Sequence, residues 1–212
     1  MIRFVDDCPG LDLREVSTPQ IYLVRHGQTA WSLSGQHTGR SDIPLTPAGE
    51  DNARAVGKVL AGNVFSRVFA SPSQRARRTC ELAGFRLVAQ VDDDLQEWDY
   101  GRYEGLKTAE IHALDPRWDL FRDGAPGGES VDDISARADR VVSRLRSAGD
   151  KVLVFSSGHF LRILAARWLG QPADMGRCFL LGTATLSILG YEHSLDSPAI
   201  ELWNQPPAGQ GS

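Results

Sequence analysis

Cysteine is scarce: the 212 residues hold three, Cys8, Cys80 and Cys178, with no Cys-x-x-Cys pair. That is too few and too scattered for a disulfide framework or a zinc site, and it fits reduced thiols in a cytosol. No stretch approaches the roughly 18 consecutive apolar residues that a membrane span needs. Asp6, Asp7, Asp12, Arg14 and Glu15 interrupt the N-terminal apolar residues, so the basic start and unbroken core of a secretory signal are missing. A soluble, cytoplasmic protein is expected. Positive charge is not in surplus either. Lys and Arg number 23 against 27 Asp and Glu, a net charge of −4 with no long basic tract, which gives a nucleic acid no electrostatic footprint. Neither a nucleic-acid nor a membrane partner is expected. Internal repeats and low-complexity blocks are also absent.

What remains is ordinary globular material, 42% hydrophobic and 24% charged, long enough for one doubly wound domain with a substantial core. Short runs rich in β-branched residues alternate with longer amphipathic stretches. This pattern predicts an α/β fold, a three-layer α/β/α sandwich with a mostly parallel central sheet. Strands are expected at residues 21–24, 68–70, 85–91, 151–155 and 183–191. Pro47–Leu60 has helical spacing, with Thr46 as N-cap and Pro47 in the first helical position, where its missing N–H is harmless. A second helix opens at Ser71-Pro72-Ser73-Gln74, with Ser71 as cap and Gln74 closing a capping box. Residues 130–147 place Val131, Ile134, Ala138, Val141, Val142 and Leu145 on one helical face, and residues 160–169 form an apolar helix. Residues 1–19 read as an N-terminal arm, 20–203 as a single domain and 204–212 as a fraying tail. The stretch 101–128 lacks a clean period and reads as a short helix plus loops placed to overhang a site.

Chemistry gathers at four points. The first strand runs into Arg25-His26-Gly27-Gln28-Thr29, and in open α/β sheets ligands bind just past the carboxyl ends of the strands. Arginine offers a forked cation for phosphate, histidine an imidazole, and glycine a backbone that can approach closely. By themselves these three residues also describe a capped strand end with a structural histidine. After the second strand, Ser71 to Thr79 opens a helix whose free amides and Arg75 attract anions, while Arg77 and Arg78 read as a solvated face. In Leu95-Gln96-Glu97-Trp98-Asp99-Tyr100-Gly101, Glu97 lies beside aromatic surface, a setting in which a carboxyl serves as proton donor near neutral pH. Asp99 and the run Asp92-Asp93-Asp94 read as turn and surface acids rather than metal ligands. Finally, Ser156-Ser157-Gly158-His159-Phe160-Leu161-Arg162 is a small-residue turn leading into another helix N-terminus aimed at the same crevice. The Gly-x-Ser-x-Gly elbow that a serine nucleophile at Ser157 would need is missing. His37 sits in a pocket-side loop where ligand contact and plain exposure are both open. His112 and His193 read as surface residues, and Trp118, Trp168 and Trp203 as packing.

The block from Arg25 to Ser32, then Gly35-Gln36-His37-Thr38-Gly39-Arg40-Ser41-Asp42-Ile43-Pro44-Leu45-Thr46-Pro47-Ala48-Gly49, then Gln96 to Gly105, resembles the histidine phosphatase superfamily, also called phosphoglycerate mutase-like. It is most similar to the broad-specificity acid phosphatase and sedoheptulose-bisphosphatase-like branch. The resemblance implies a small phosphorylated substrate, a sugar phosphate foremost, and no metal or other cofactor. It implies that His26 is the nucleophile, that Arg25 and Arg75 hold the phosphoryl oxygens, and that Glu97 protonates the leaving alkoxide and then activates water. Ser32, Thr38, Gly39, Tyr100, Gly158 and His159 fall at phosphate- or substrate-binding positions. Mutase members carry Trp-Asn where this chain has Trp31-Ser32, and a longer basic insertion after the acid block, so hydrolysis is implied over mutase transfer. One departure stands out: the branch has Ser-His-Gly-His, and the second catalytic histidine is here Ser157, with His159 matching the later histidine. Three readings stay open: a change introduced to trap a ligand, a natural substitution with His159 or another cation moving in, and a protein that binds phosphorylated ligands without turning them over. A homodimer through an edge strand or the arm is compatible with the sequence.

Overall fold

Alternation along the first strand sets the layers. Ile21 and Leu23 join one hydrophobic cluster while Tyr22 and Val24 join another, as the two-residue period requires of a strand buried on both faces. The computed structural model describes residues 18–207. Its strands are β1 (Gln20–Arg25), β2 (Arg67–Ala70), β3 (Ala89–Val91), β4 (Lys151–Ser156), β5 (Leu186–Tyr191) and β6 (Pro198–Gln205). They form one sheet in the order β3-β2-β4-β1-β5-β6. β1, β2, β3 and β4 run parallel, with Arg25 opposite Ser156, and β5 and β6 are antiparallel additions.

The helices are α1 (Ala30–Ser34), α2 (Pro47–Leu60), α3 (Gln74–Leu82), α4 (Thr108–Leu114), α5 (Leu120–Asp123), α6 (Val131–Arg146) and α7 (Gly158–Trp168). Ile134, Ala138 and Val141 of α6, and Phe160, Leu161 and Leu164 of α7, share a cluster with Ile21, Leu23, Val152 and Val154. Val56 and Leu60 of α2 and Cys80 of α3 pack against Val24, Leu153 and Phe155 on the opposite face. The three-layer α/β/α expectation therefore holds. Among the described residues no helix is long and apolar enough to cross a membrane.

Several local expectations need correction. The strand expected at 85–91 keeps only its last three residues. Residues 85–88 close a turn through the Val88 and Ala89 amides onto the Phe85 carbonyl, and Leu87 and Val88 are exposed at the sheet's edge, where no neighbouring strand awaits them. The strand expected at 183–191 begins at Leu186, because Ala184 takes a left-handed φ of 54° and sends its amide to the carbonyls of Arg25 and His26. The capping box at Ser71 does not form. The cap residue of α3 is Ser73, and the Gln74 amide is taken by Asp42 Oδ1 at 2.7 Å from a distant loop, while the Ser71 hydroxyl pairs with Ser73. β6 continues through Gln205, two residues into the expected tail. The stretch 101–128 holds a 3₁₀ turn at Gly101–Tyr103 and two helices, α4 and α5, instead of one. Cys8 and most of the expected arm lie outside the described residues.

Candidate active site

β1 ends at Arg25 and the chain leaves the sheet at His26, whose amide still donates to Ser156 O of β4 at 2.9 Å. The turn that follows is pressed against the first turn of α2. A Cβ on Gly27 would lie 2.4 Å from Gly49 O, and one on Gly49 would lie 2.1 Å from Gln28 O. Both obstacles are backbone, so glycine is required on both sides of the contact. Thr79 of α3 ties the same turn from below, accepting from Gly27 N at 2.9 Å while donating to Arg75 O at 2.7 Å.

The His26 ring is buried, and its Nδ1 lies 2.8 Å from the Gly27 carbonyl. A carbonyl can only accept, so Nδ1 carries the proton and Nε2 keeps its lone pair. Burial first, then the charges of Arg75 and Arg25, hold the imidazole pKa well below 6.5. A neutral ring is therefore the resting form. His26 lines a cleft of about 260 Å³ together with Arg25, Glu97, Gly158, His159 and Arg162.

Two guanidinium groups flank it. Arg25 donates through Nη1 to Leu181 O, and its guanidinium lies so close over α7 that a Cβ on Gly158 would come within 3.1 Å of Cζ and Nε. Arg75 is fully buried on α3, with Nη1 on Ser41 O at 2.8 Å and Nη2 on Thr38 O and Gly39 O at 3.0 Å. Those loop carbonyls are themselves held in place, because the Glu104 carboxylate accepts from the amides of Gly39 and Ser41. The Nε atoms of Arg25 and Arg75 and the hydroxyl of Ser157 are all buried without a hydrogen-bond partner. Orphaned buried donors are rare and costly. Three of them around one imidazole suit an anion with several acceptor oxygens. Burial lowers the pKa of both arginines from 12.5, opposed in each case by the negative charge of Glu97.

Glu97 occupies the turn after the 3₁₀ segment Asp93–Leu95. Its surroundings differ from the aromatic enclosure that the sequence suggests: the carboxylate accepts from three backbone amides, Trp98 at 2.9 Å, His159 at 2.9 Å and Phe160 at 2.8 Å. The first turn of α7 thus grips the acid. Ser157 precedes that turn as cap residue without a capping bond.

Of the remaining expected positions, Tyr100 is buried and its hydroxyl meets His159 Nδ1. Burial pushes the Tyr100 phenol well above 10, and burial together with Arg162, His37 and Arg25 pushes His159 well below 6.5, so both are neutral. Gly39 contributes backbone only, holding Arg75. Thr38 lines the cleft, but its hydroxyl donates to Gln36 O. Ser32 also lines it, with a hydroxyl engaged on both sides by Thr29 in the capping box of α1. His37 stands in the cleft wall, its ring 4.8 Å from that of Tyr100. Arg77 is exposed as expected, while Arg78 is engaged by Glu50 and Glu81. The acid run is engaged by arginines, Asp94 with Arg140 and Arg144, and Asp92 with Arg144. Sequence reasoning missed Arg162 as a wall residue. It falls one turn after His159 on α7, and that i, i+3 spacing was the available signal.

Comparison with known proteins agrees with this geometry. The profile of the histidine phosphatase superfamily (branch 1) matches residues 21–206. An acid phosphatase of Mycobacterium tuberculosis is 38% identical over 189 residues, covering 87% of this chain and 93% of that protein. The sedoheptulose 1,7-bisphosphatase of Saccharomyces cerevisiae is 34% identical, covering 87% and 92%. The solved structure of a Mycobacterium tuberculosis open reading frame product superposes with a TM-score of 0.84 at 36% identity, covering 89% of this chain and 98% of that one. A buried imidazole with a free Nε2 lone pair, beside Arg25 and Arg75, thus coincides with kinship along nearly the whole described chain, which belongs to the histidine phosphatase superfamily, branch 1.

Proposed function

We propose that this phosphatase hydrolyses small phosphorylated metabolites, sugar phosphates foremost, through a phosphohistidine on His26. The observation that carries the reading is the fixed tautomer: Nδ1 is committed to Gly27 O, so Nε2 presents its lone pair beside two guanidinium groups whose Nε atoms are buried and unpartnered. In the first step Nε2 forms a bond to phosphorus as the bond to the ester oxygen breaks, and Glu97, entering the cycle in its protonated form, gives that oxygen its proton. In the second, Glu97 takes a proton from water, the hydroxide attacks phosphorus, and the bond to Nε2 breaks to release phosphate. Splitting one difficult displacement into two is covalent catalysis. Arg25 and Arg75 balance the phosphoryl charge throughout, the part of phosphoryl transfer in which positioned charge matters most.

Ser157 weakens the site. A hydroxyl offers one neutral hydrogen bond where an imidazolium would face the moving oxygens, a loss on the order of 10²–10³ in rate by analogy with a removed oxyanion donor. That residue favours a second reading, a phospho-ligand binder with negligible turnover. Rapid-quench labelling with a phosphorylated substrate separates the two. The catalytic reading expects acid-labile phosphate on His26, lost in His26→Ala, and turnover that rises by orders of magnitude in Ser157→His. Label on another residue, or undiminished turnover in His26→Ala, would sink the phosphohistidine. Tight ligand binding without label, in both the parent and Ser157→His, would leave only the binder.

A further inference from the structure

The loop that bears Glu97 is held by a largely buried ion pair with no place in the chemistry. Arg137 enters from α6, buried, and its Nη1 donates to Asp94 O at 2.9 Å and Gln96 O at 2.6 Å while Nη2 reaches Glu97 O at 3.3 Å. The carbonyl between them, Leu95 O, is taken by Ser156 Oγ at 2.6 Å. Four consecutive carbonyls up to and including that of Glu97 are therefore fixed by side chains. The other edge of the guanidinium makes a forked pair with Glu129, Nε at 2.8 Å and Nη2 at 2.6 Å. Glu129 continues the grip beyond the acid: its carboxylate accepts from Asp99 N at 3.0 Å, its carbonyl accepts from the Trp98 indole at 2.9 Å, and its amide donates to Asp99 O at 3.0 Å. The guanidinium carbon also lies 4.6 Å over the ring of Phe160, whose amide is one of the three donors to the Glu97 carboxylate.

We propose that the Arg137–Glu129 pair is a positioning device for Glu97, fixing the backbone on both sides of the acid and the helix turn that receives its carboxylate. The proposal rests on the reading of Glu97 as proton donor. Neither member lines the cleft, so neither is assigned contact with substrate. A buried ion pair is often no more stabilising than apolar packing of the same volume. What this one supplies is a planar fork matched to carbonyls of a single loop. The consequence is kinetic. A displaced acid slows esters whose leaving oxygen needs a proton and spares those whose leaving group departs as a stable anion.

The test is the rate of His26 phosphorylation in single-turnover experiments with a series of aryl phosphates, from phenyl to 2,4-dinitrophenyl phosphate. Arg137→Met is expected to slow phenyl phosphate about 10²-fold, the cost of a small misplacement transmitted from a distance. The dinitrophenyl ester should stay within a factor of about 3, since its leaving group needs no acid. In a Glu97→Gln background the Arg137→Met change should cost nothing further. Glu129→Gln, which keeps the side chain's shape, should show the same selective loss in smaller measure and reports on the pair if Arg137→Met does not fold. Equal slowing of every ester, a full additional loss in the Glu97→Gln background, or an unchanged leaving-group dependence in Glu129→Gln overturns the proposal. If Glu97→Gln itself keeps the parent's dependence, the assignment of the acid falls first. If Glu97→Gln steepens it and the pair's variants do not, positioning alone is refuted.

Discussion

At His26, burial and flanking charge act in the same direction. Both disfavour the imidazolium, whereas the Gly27 carbonyl favours it only through the Nδ1 bond that the neutral tautomer also makes. The neutral ring, which the proposed attack requires, should therefore persist well into mild acid. Phosphorylation of His26 under kcat/KM conditions is expected to show no loss from pH 7 through 6.5, with its acid limb well below the ordinary imidazole value. A limb centred near 6.5, over and above the substrate's own second phosphate ionisation, would mean that neither burial nor the two arginines act on the ring. That Arg25, His26, Arg75 and Glu97 gather in one region was legible in the sequence because each lies at or after a strand end, where topology already expects ligands. Glu104 and Arg137 were not. They act across separations of 65 and 40 residues on backbone carbonyls and amides, and a backbone partner leaves no mark on residue type.

Among the elements, those that carry their own punctuation were legible. Thr46 and Pro47 start α2, and Ser130 with Asp133 starts α6, each bounded by a cap that bonds within a few residues. Where the deciding partner lies elsewhere, local reading failed. α3 is capped by Asp42 across the loop, residues 85–88 lack a neighbouring strand, and 183–185 turn because Ala184 must reach back to Arg25 and His26. The packing of α2 on the turn after His26 gives an element-scale test. Gly49→Ala forces a methyl into Gln28 O with only backbone to yield. Overpacking of this kind costs about 1–3 kcal/mol, read as a lower urea midpoint. Because the displaced atoms belong to the turn after His26, activity should fall by more than the folded fraction does. An alanine variant as stable and active as the parent would show that the turn has slack.

On the scale of the whole molecule, the α/β/α arrangement was legible because runs buried on both faces and amphipathic stretches alternate. The sheet order was not, since it depends on which strand ends meet. In the fold, the ends of β1, β2 and β4 converge with the turn after β3, so one small volume collects three buried orphan donors, a carboxylate and two neutral histidines. This concentration has a thermodynamic consequence. His26 and His159 have folded pKa values well below the unfolded 6.5, and His37 is also lowered, chiefly by burial. Below 6.5 the unfolded chain binds protons at these rings that the folded chain refuses. Their contribution to stability is therefore complete above that value and is lost as pH falls through it toward the depressed folded values. The acids with resolved shifts, Glu50, Asp94, Asp123 and Asp133, all have lowered values, so their contributions persist until more acidic conditions. Between pH 7 and 5 the urea midpoint should fall, and the fall should belong to the histidines. Replacing His26 and His159 together by asparagine should flatten that slope. A midpoint that rises over the interval, or a slope unaltered in the double variant, would show that the rings take up protons inside the fold.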